Sequence, residues 1–369
     1  MAATYTPVRG VPPVRRRRGA RALTLRALLL LSIAALPTGF SAWIDPARLV
    51  ATRRAEAEIA RVLASGRNVT DYANYDDRAI ERSLVALRPA RAEVLGLGSS
   101  RLQPMPASAF GGAVFMNGAM QGATLDDMLA VYGLYDSDAR RPTRVVINVD
   151  PWTQSYDASA GWASISDERT AVMRRAGIPA SPRRERAALT MRTLRQLAMP
   201  EYFRLSVGAF KRHGTAGIRW VATDRAQNME KTKLPNGSVI WSDVPADNAI
   251  AASEHFARGG IFGDQRFRRL DARAPGREDA LEKFVRYLRS EGVAVTVLLV
   301  PFPDVVYDAF VGLPGYSVIA VERDLRALAE RNGAEIVGSY DPRVVGMTTL
   351  DFFDEDHLRP EALARLVAR

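Results

Sequence analysis

The sequence predicts an α/β protein built on a parallel β-sheet. Short, nearly continuous apolar runs alternate with amphipathic stretches, which is typical of buried parallel strands joined by helices. The 369 residues are 47% hydrophobic and 25% charged, so the chain suffices for two domains or for one large domain with an insertion. It has no cysteine and three histidines, which excludes a disulfide scaffold and disfavours a His/Cys metal centre. We therefore expect neither a metal nor a cofactor.

The N-terminal segment is predicted to anchor the protein in a membrane. Residues 1–26 carry seven arginines and no acid, and residues 27–44 have no charged side chain. This apolar run can cross most of a ~30 Å hydrocarbon core, and the arginines before it predict a cytoplasmic N-terminus. Trp43 stands where an interfacial aromatic would, which favours an uncleaved anchor. A cleaved signal peptide ending near Gly39 and Ser41 and a buried core helix are the alternatives.

Charge and composition indicate which classes of binding partner and which cellular compartment are expected. Setting aside the seven N-terminal arginines leaves 44 basic against 41 acidic residues, so no nucleic-acid-binding face is indicated. The 47 arginines against four lysines suggest a GC-rich bacterial genome. We predict a single-pass protein of the bacterial inner (cytoplasmic) membrane with a periplasmic C-terminal domain. A cytosolic enzyme with a basic tail is the alternative.

The remaining elements follow in order along the chain. Asp45 and Pro46 predict a helix start, so residues 45–90 are assigned to a stalk helix and linker, and residues 91–369 to the α/β domain. Strands are predicted at residues 92–97, 113–116, 144–149, 293–300 and 334–337. The third and fourth strands are too far apart for one crossover helix. A largely helical insertion over about residues 155–285 is therefore predicted, with a hairpin at Asn236-Gly237.

Polar residues follow the predicted strands, at the edge where parallel sheets bind ligands. Gly98-Ser99-Ser100-Arg101 follows the first strand, Asn117 to Thr124 with Gly122 the second, and Asn148 to Trp152 with Asp150 the third. Near the C-terminus the chain reads Asp354-Glu355-Asp356-His357. A serine nucleophile needs a base. His357, three residues after a carboxylate, is the candidate for that role.

In this order the motifs resemble the SGNH/GDSL hydrolase superfamily. Within it they are similar to the membrane-anchored envelope branch, which includes D-alanyl transfer proteins of teichoic acid and accessory O-acetyltransferases of exopolysaccharides. The similarity covers about residues 92–123, 144–152 and 293–360, and it implies a flavodoxin-like, three-layer α/β/α fold. In the family the first block, Gly-Asp-Ser, supplies the nucleophile, and the last, Asp-x-x-His, the orienting acid and the base. The resemblance thus implies Ser100 as nucleophile, with Asp354 and His357 as its partners.

Of the two middle sequence blocks of the family, this chain matches the second but not the third. The second implies Asn117 and Gly122, with the Gly122 N–H as an oxyanion donor. The third, Gly-x-Asn-Asp, is not matched by Ile147-Asn148-Val149-Asp150. If Asp150 is aligned with the final Asp of the family block, Val149 occupies the position of the oxyanion donor. If Asn148 is taken as the donor instead, the register shifts by one residue, which in a strand turns the side chain to the other face. Loss of one oxyanion donor costs ~3–4 kcal/mol of transition-state stabilisation. Another donor, such as Arg101, would then have to take its place.

The resemblance implies acyl transfer, with acetyl as the expected group, or ester hydrolysis on a cell-envelope polysaccharide. The implied partners are that polysaccharide, the membrane and a membrane-bound O-acyltransferase. Transfer and hydrolysis stay open, as do the acyl donor, the acceptor and the oligomeric state. The alternative function is a catalytically inactive SGNH-like scaffold or polysaccharide-binding subunit of an envelope acylation or export complex. The unmatched third block favours this alternative, and the intact Ser100, Asp354 and His357 oppose it.

Overall fold

A computed structural model of the protein describes residues 26, 32, 35–45, 54–71, 75–88, 91–154, 161–180, 182–214, 220–242, 245–260, 276–312 and 318–368. The chain forms two compact units. The larger contains Ala51–Thr190 and Ile218–Arg369, and the smaller contains Met1–Val50 and Met191–Gly217. The parallel sheet lies in the larger unit, and so do the first motif, at Ser100, and the last motif, at Asp354 and His357.

Helices and strands alternate along most of the chain. The helices are α1 (Arg54–Ala64), α2 (Asp77–Leu87), α3 (Leu125–Tyr135), α4 (Ser166–Arg175), α5 (Pro182–Leu197), α6 (Pro200–His213), α7 (Ala246–His255), α8 (Arg277–Ser290), α9 (Asp304–Val311), α10 (Val318–Arg331) and α11 (Pro360–Val367). The strands are β1 (Asn68–Thr70), β2 (Val94–Leu97), β3 (Phe115–Asn117), β4 (Arg144–Asn148), β5 (Val221–Thr223), β6 (Thr232–Lys233), β7 (Val239–Ile240), β8 (Ala294–Leu299) and β9 (Glu335–Gly338).

The main sheet is parallel and confirms the predicted α/β class. Its strands lie in the order β3-β2-β4-β8-β9, and every neighbouring pair runs parallel. These are the five strands predicted from the apolar runs. Counted along the chain the order is 2-1-3-4-5, so the direction of winding reverses between β2 and β4, where doubly wound sheets bind ligands. In register, Leu97 pairs with Ile147, which brings the residues after these two strands side by side.

Alternate side chains of the strands enter two separate cores. Leu95, Ile147 and Val297 point to one face, where α1, α2, α3, α8 and α10 cover the sheet. Val146 and Leu298 point to the other face, which α11 and the segment 102–110 cover. Strands buried on both faces are expected to be continuously apolar, which is why the apolar runs predicted them.

Local sequence explains where the helices near the site begin. Thr124 caps α3, since its backbone N–H donates to the Asp127 carboxylate at 2.8 Å while that carboxylate also accepts from the Thr124 hydroxyl. Pro360 occupies the first turn of α11, where its missing N–H is not needed. Both helices therefore start directly after loops that carry predicted site residues.

Residues 54–71 and 75–88, which the sequence assigns to a stalk helix and linker, contribute to the α/β core. Ile59 and Leu63 lie on one face of α1, and Ile80 and Leu84 on one face of α2, all of them fully buried in the larger core. Side chains four residues apart share a helix face, so each helix presents an apolar stripe to the sheet. Helix α1 ends at Ala64, shortly before Gly66 with φ +89°.

The insertion contributes strands as well as helices. It contains α4 to α7, and its strands β5, β6 and β7 form an antiparallel sheet with β1, in the order β5-β1-β6-β7. The predicted hairpin at Asn236-Gly237 is confirmed, because β6 and β7 pair across it. A largely helical insertion is thus an incomplete description. Very short strands with little apolar pattern, such as β6 and β7, give no clear signal in a single sequence.

Seven of the 18 residues of the predicted anchor, residues 27–31, 33 and 34, lie outside the described residues. Residue 32 and residues 35–44 are helical. Among the described residues, no helix combines the length and apolarity needed to cross a bilayer.

Candidate active site

A serine and a histidine from distant parts of the chain meet at the carboxyl end of β2. The Oγ of Ser100 lies 2.8 Å from Nε2 of His357, although 257 residues separate them. Both side chains are buried. Gly98 ends the strand where it passes Asn148 closely, since a Cβ on Gly98 would lie 2.7 Å from the Asn148 Cβ. Glycine therefore lets Ser100 approach the switch point of the sheet.

Two carboxylates hold the other nitrogen of the imidazole. Both oxygens of Asp354 lie 2.9 Å from Nδ1 of His357, and Oδ1 of Asp356 lies 2.8 Å from the same atom. Asp354 also accepts hydrogen bonds from the backbone N–H groups of Asp356 and His357, at 3.0 and 2.9 Å, which fixes the loop. The motif predicts Asp354. Asp356 was missed, and its position next to His357 is the signal that could have found it.

The charge state of His357 follows from these contacts. Burial lowers the pKa of His357, but the charge of Asp356 and the hydrogen bonds that the ring donates to Asp354 and Asp356 outweigh it and raise the pKa to about 9. The resting imidazole is therefore mostly protonated at neutral pH. Any transition state that forms an imidazolium is stabilised by the same two carboxylates.

Arg101 is a buried crosslink between the loops that carry the site. Its side chain is fully buried, and it pairs with Asp150 at 2.9 Å. It also donates to the carbonyl oxygen of Asp356 at 2.9 Å and to the carbonyl oxygens of residues 300 and 301. The guanidinium thus ties the ends of β4 and β8 to the histidine loop. The guanidinium of Arg101 therefore donates its hydrogen bonds to protein acceptors.

Asn148 lies beside the serine loop, and Val149 does not. The Asn148 side-chain oxygen accepts from the N–H and hydroxyl of Ser99, at 3.4 and 3.3 Å, and its Nδ2 donates to Asp150 at 3.2 Å. Val149 is fully buried in the larger core. Of the two possible alignments of the third block, the tertiary structure therefore places Asn148 on the side of Ser100. Its amide N–H points toward Asp150 in this arrangement.

The second block supplies Asn117 and Gly122. Asn117 donates from Nδ2 to the carbonyl oxygens of Leu102 and Gln103, at 3.0 and 3.1 Å, and to the hydroxyl of Ser238 at 3.2 Å. It thereby joins the turn after Ser100 to the insertion. Gly122 is exposed on the turn before α3, with φ +61°. Its N–H donates to no backbone acceptor among the described residues.

The insertion supplies one wall of the site, which the sequence did not predict. Trp241 packs on the ring of His357, with the ring centroids 4.3 Å apart and the planes at 36°. The ammonium of Lys231 lies 3.3 Å from the Trp241 ring centroid. Burial lowers the pKa of Lys231, against the opposing charges of Asp354 and other nearby acids. The hairpin itself was visible in the sequence, but its docking on the histidine was not.

A close backbone contact places this hairpin. Asn117 donates its backbone N–H to the carbonyl oxygen of Asn236 at 2.7 Å, and Val239 donates to that of Gln103 at 2.9 Å. Gly237 has φ +89°, and a Cβ there would lie 2.3 Å from the carbonyl oxygen of Asn117. Only glycine satisfies both conditions.

The same cluster includes potential metal ligands. Atoms of Asp354, Asp356 and His357 that could ligate a cation lie within 4.8 Å of one another. In this arrangement Nδ1 of His357 already faces both carboxylates, and Nε2 faces Ser100. The geometry fits a hydrogen-bonded serine–histidine–carboxylate set.

Comparison with known proteins adds no assignment. No protein-family model matches the chain, and no curated protein matches it significantly. The chemistry of the site has to be inferred from its own geometry.

Proposed function

We propose that this protein is an SGNH/GDSL-type serine esterase or O-acyltransferase acting on acyl esters, with acetyl as the expected group, of a cell-envelope polysaccharide. The observation that carries this proposal is the 2.8 Å contact between Ser100 Oγ and His357 Nε2, with Asp354 on the opposite ring nitrogen. The contact lies at the switch point of a doubly wound parallel sheet, which supports the SGNH-like, three-layer fold.

The residues define a complete proton cycle for acyl transfer. Ser100 attacks the acyl carbonyl as neutral His357 removes its proton, giving a tetrahedral oxyanion and an imidazolium next to Asp354 and Asp356. His357 then returns the proton to the leaving oxygen, and the acyl group stays on Ser100. In the second half, His357 removes a proton from water or a sugar hydroxyl, which takes the acyl group and regenerates Ser100.

Backbone N–H groups are available for the oxyanion. Those of Ser100 and Gly122 have no backbone acceptor among the described residues, which supports a role as donors. Asn148 would become a third donor if its Nδ2 exchanged the bond to Asp150 for one to the substrate. Arg101 is a less suitable donor because its guanidinium is fully buried among protein acceptors.

The location and partners are part of the same proposal. Residues 27–44 would anchor the chain in the inner membrane, with the catalytic unit in the periplasm. A membrane-bound O-acyltransferase would then deliver the acyl group, and the polysaccharide would be the acceptor. The support is the basic and apolar N-terminal sequence.

A catalytically inactive scaffold or polysaccharide-binding subunit is the second candidate. Two observations favour it. His357 has its pKa raised to about 9, so the base is mostly blocked at neutral pH. The side-chain amide of Asn148, which lies beside the serine loop, donates to Asp150.

Covalent labelling of Ser100 distinguishes the catalytic function from the inactive scaffold. The full chain, purified in detergent, is treated at pH 9 with a serine-directed fluorophosphonate and its intact mass is measured. One adduct is expected on wild type and on Ser108→Ala, a control for an exposed serine in the same segment, and none on Ser100→Ala. If folded wild-type protein takes no adduct, catalysis at Ser100 is refuted and the scaffold function is favoured.

A further inference from the structure

The smaller unit joins the end of the predicted anchor to the insertion. The ring of Phe40 lies 5.7 Å from that of Phe203 and 5.9 Å from that of Phe210, and Trp43 lies 6.2 Å from Phe210. The hydroxyl of Tyr202 donates to Asp45 at 2.8 Å. These contacts hold α6 beside residues 40–45, where the predicted membrane span ends.

This unit exposes large apolar side chains. Trp43 is 63% exposed and Leu205 on α6 is 59% exposed. Others of the same kind in the unit are Leu36, Met191, Leu194, Met199 and Phe210. Several exposed large apolar side chains in one small unit indicate an interaction site, either with protein or with membrane.

Charge and aromatic content favour a membrane as the occupant. Residues 191–217 contain five basic residues and one acid, whereas the chain beyond the N-terminal arginines is nearly balanced. Apolar helices with a basic face bind the interface of anionic bilayers. Tryptophan and other aromatic rings favour the same depth. Since Phe210 contacts Trp43, a bilayer interface at Trp43 would also be within reach of α6.

We propose that α6 is an interfacial helix through which the insertion returns to the surface of an anionic lipid bilayer, next to the end of the anchor. This inference rests on the membrane-anchoring part of the proposed function. It does not depend on catalysis at Ser100. The ligand is the bilayer interface itself, with its acidic headgroups and the adjoining acyl chains.

The absence of native cysteine allows a direct test with single labels. The full chain carrying Leu205→Cys is spin-labelled and reconstituted into vesicles of phosphatidylcholine and phosphatidylglycerol. Ile319→Cys, at an exposed apolar position of α10 in the larger unit, is the matched control. Power saturation then compares the access of oxygen, which partitions into lipid, with that of a water-soluble nickel chelate.

The expected result is a several-fold higher oxygen-to-nickel ratio at position 205 than at position 319, and a lower ratio at position 205 when the chain also carries Arg204→Glu and Lys211→Glu. Equal ratios at the two positions in protein that cosediments with vesicles would overturn the proposal. So would a chain that stays in the supernatant. Fluorophosphonate labelling of Ser100 in the same samples reports on the catalytic proposal separately, so the two can fail independently.

Discussion

Replacing Asp356 by asparagine should move the pH dependence of Ser100 acylation to lower pH. The pKa of His357 is about 9 because the two carboxylates outweigh the effect of burial. At pH 7 the neutral base is then about one molecule in a hundred, and the labelling rate of wild type should rise roughly tenfold per pH unit until about pH 9. The substitution removes one charge 2.8 Å from Nδ1 and leaves the Asp354 contacts in place. Each unit by which the pKa falls should raise the labelling rate at pH 7 about tenfold.

The assay is the second-order rate of fluorophosphonate labelling between pH 5.5 and 10, for wild type, Asp356→Asn and Asp308→Asn. Asp308 pairs with Arg343 at an exposed position, so its replacement should leave the profile unchanged. The chain has three histidines, and NMR titration with a His357→Gln variant for assignment gives the pKa directly. A wild-type profile that levels off near pH 6.5, or identical profiles for wild type and Asp356→Asn, would refute the reasoning.

The same proton is linked to stability. A histidine with a raised pKa in the folded state stabilises the fold fully below its unfolded value of 6.5, and this contribution is lost as the pH rises through about 9. The full effect is on the order of 3 kcal/mol. In urea unfolding, the difference between wild type and Asp356→Asn should therefore be largest below pH 6.5 and should shrink toward pH 9.5. A constant difference would contradict the assignment.

Three further substitutions test the surroundings of the site. Trp241→Phe should keep a ring against His357 and retain most of the fluorophosphonate labelling of Ser100. Trp241→Ala should slow the labelling and shift its pH profile. Equal labelling rates and pH profiles for the two variants would contradict a positioning role of Trp241. Arg101→Met should lower the free energy of unfolding in urea by about 3–5 kcal/mol, because it leaves a buried carboxylate unpaired, while Arg343→Met at an exposed ion pair should cost under about 1 kcal/mol. Gly237→Ala should destabilise by more than about 1 kcal/mol, since φ is +89° and the new methyl would meet the backbone of β3; an unchanged melting temperature would argue against the close contact.

Much of the sheet could be predicted because burial on both faces forces its strands to be apolar. The runs at residues 92–97, 144–149 and 293–300 became the three central strands of the sheet. The placement of Ser100 after the first of these strands was equally readable, because the ends of parallel strands lie at one edge. The packing of α1 and α2 on the sheet could not be predicted, because an amphipathic helix looks the same whether its apolar face meets the sheet or another partner.

Local sequence determined the elements themselves: the apolar strands, the glycine turns, the helix caps, the hairpin and the Asp-x-x-His motif. These depend on interactions within a few residues, which a single sequence displays. Only the tertiary structure decided which distant groups meet. It placed Asp356 beside Asp354 on one ring nitrogen, committed Arg101 to a crosslink and laid Trp241 of the insertion on His357. Such contacts join residues more than a hundred positions apart or depend on side-chain direction, and neither is encoded in local pattern, so packing of the whole chain had to select them.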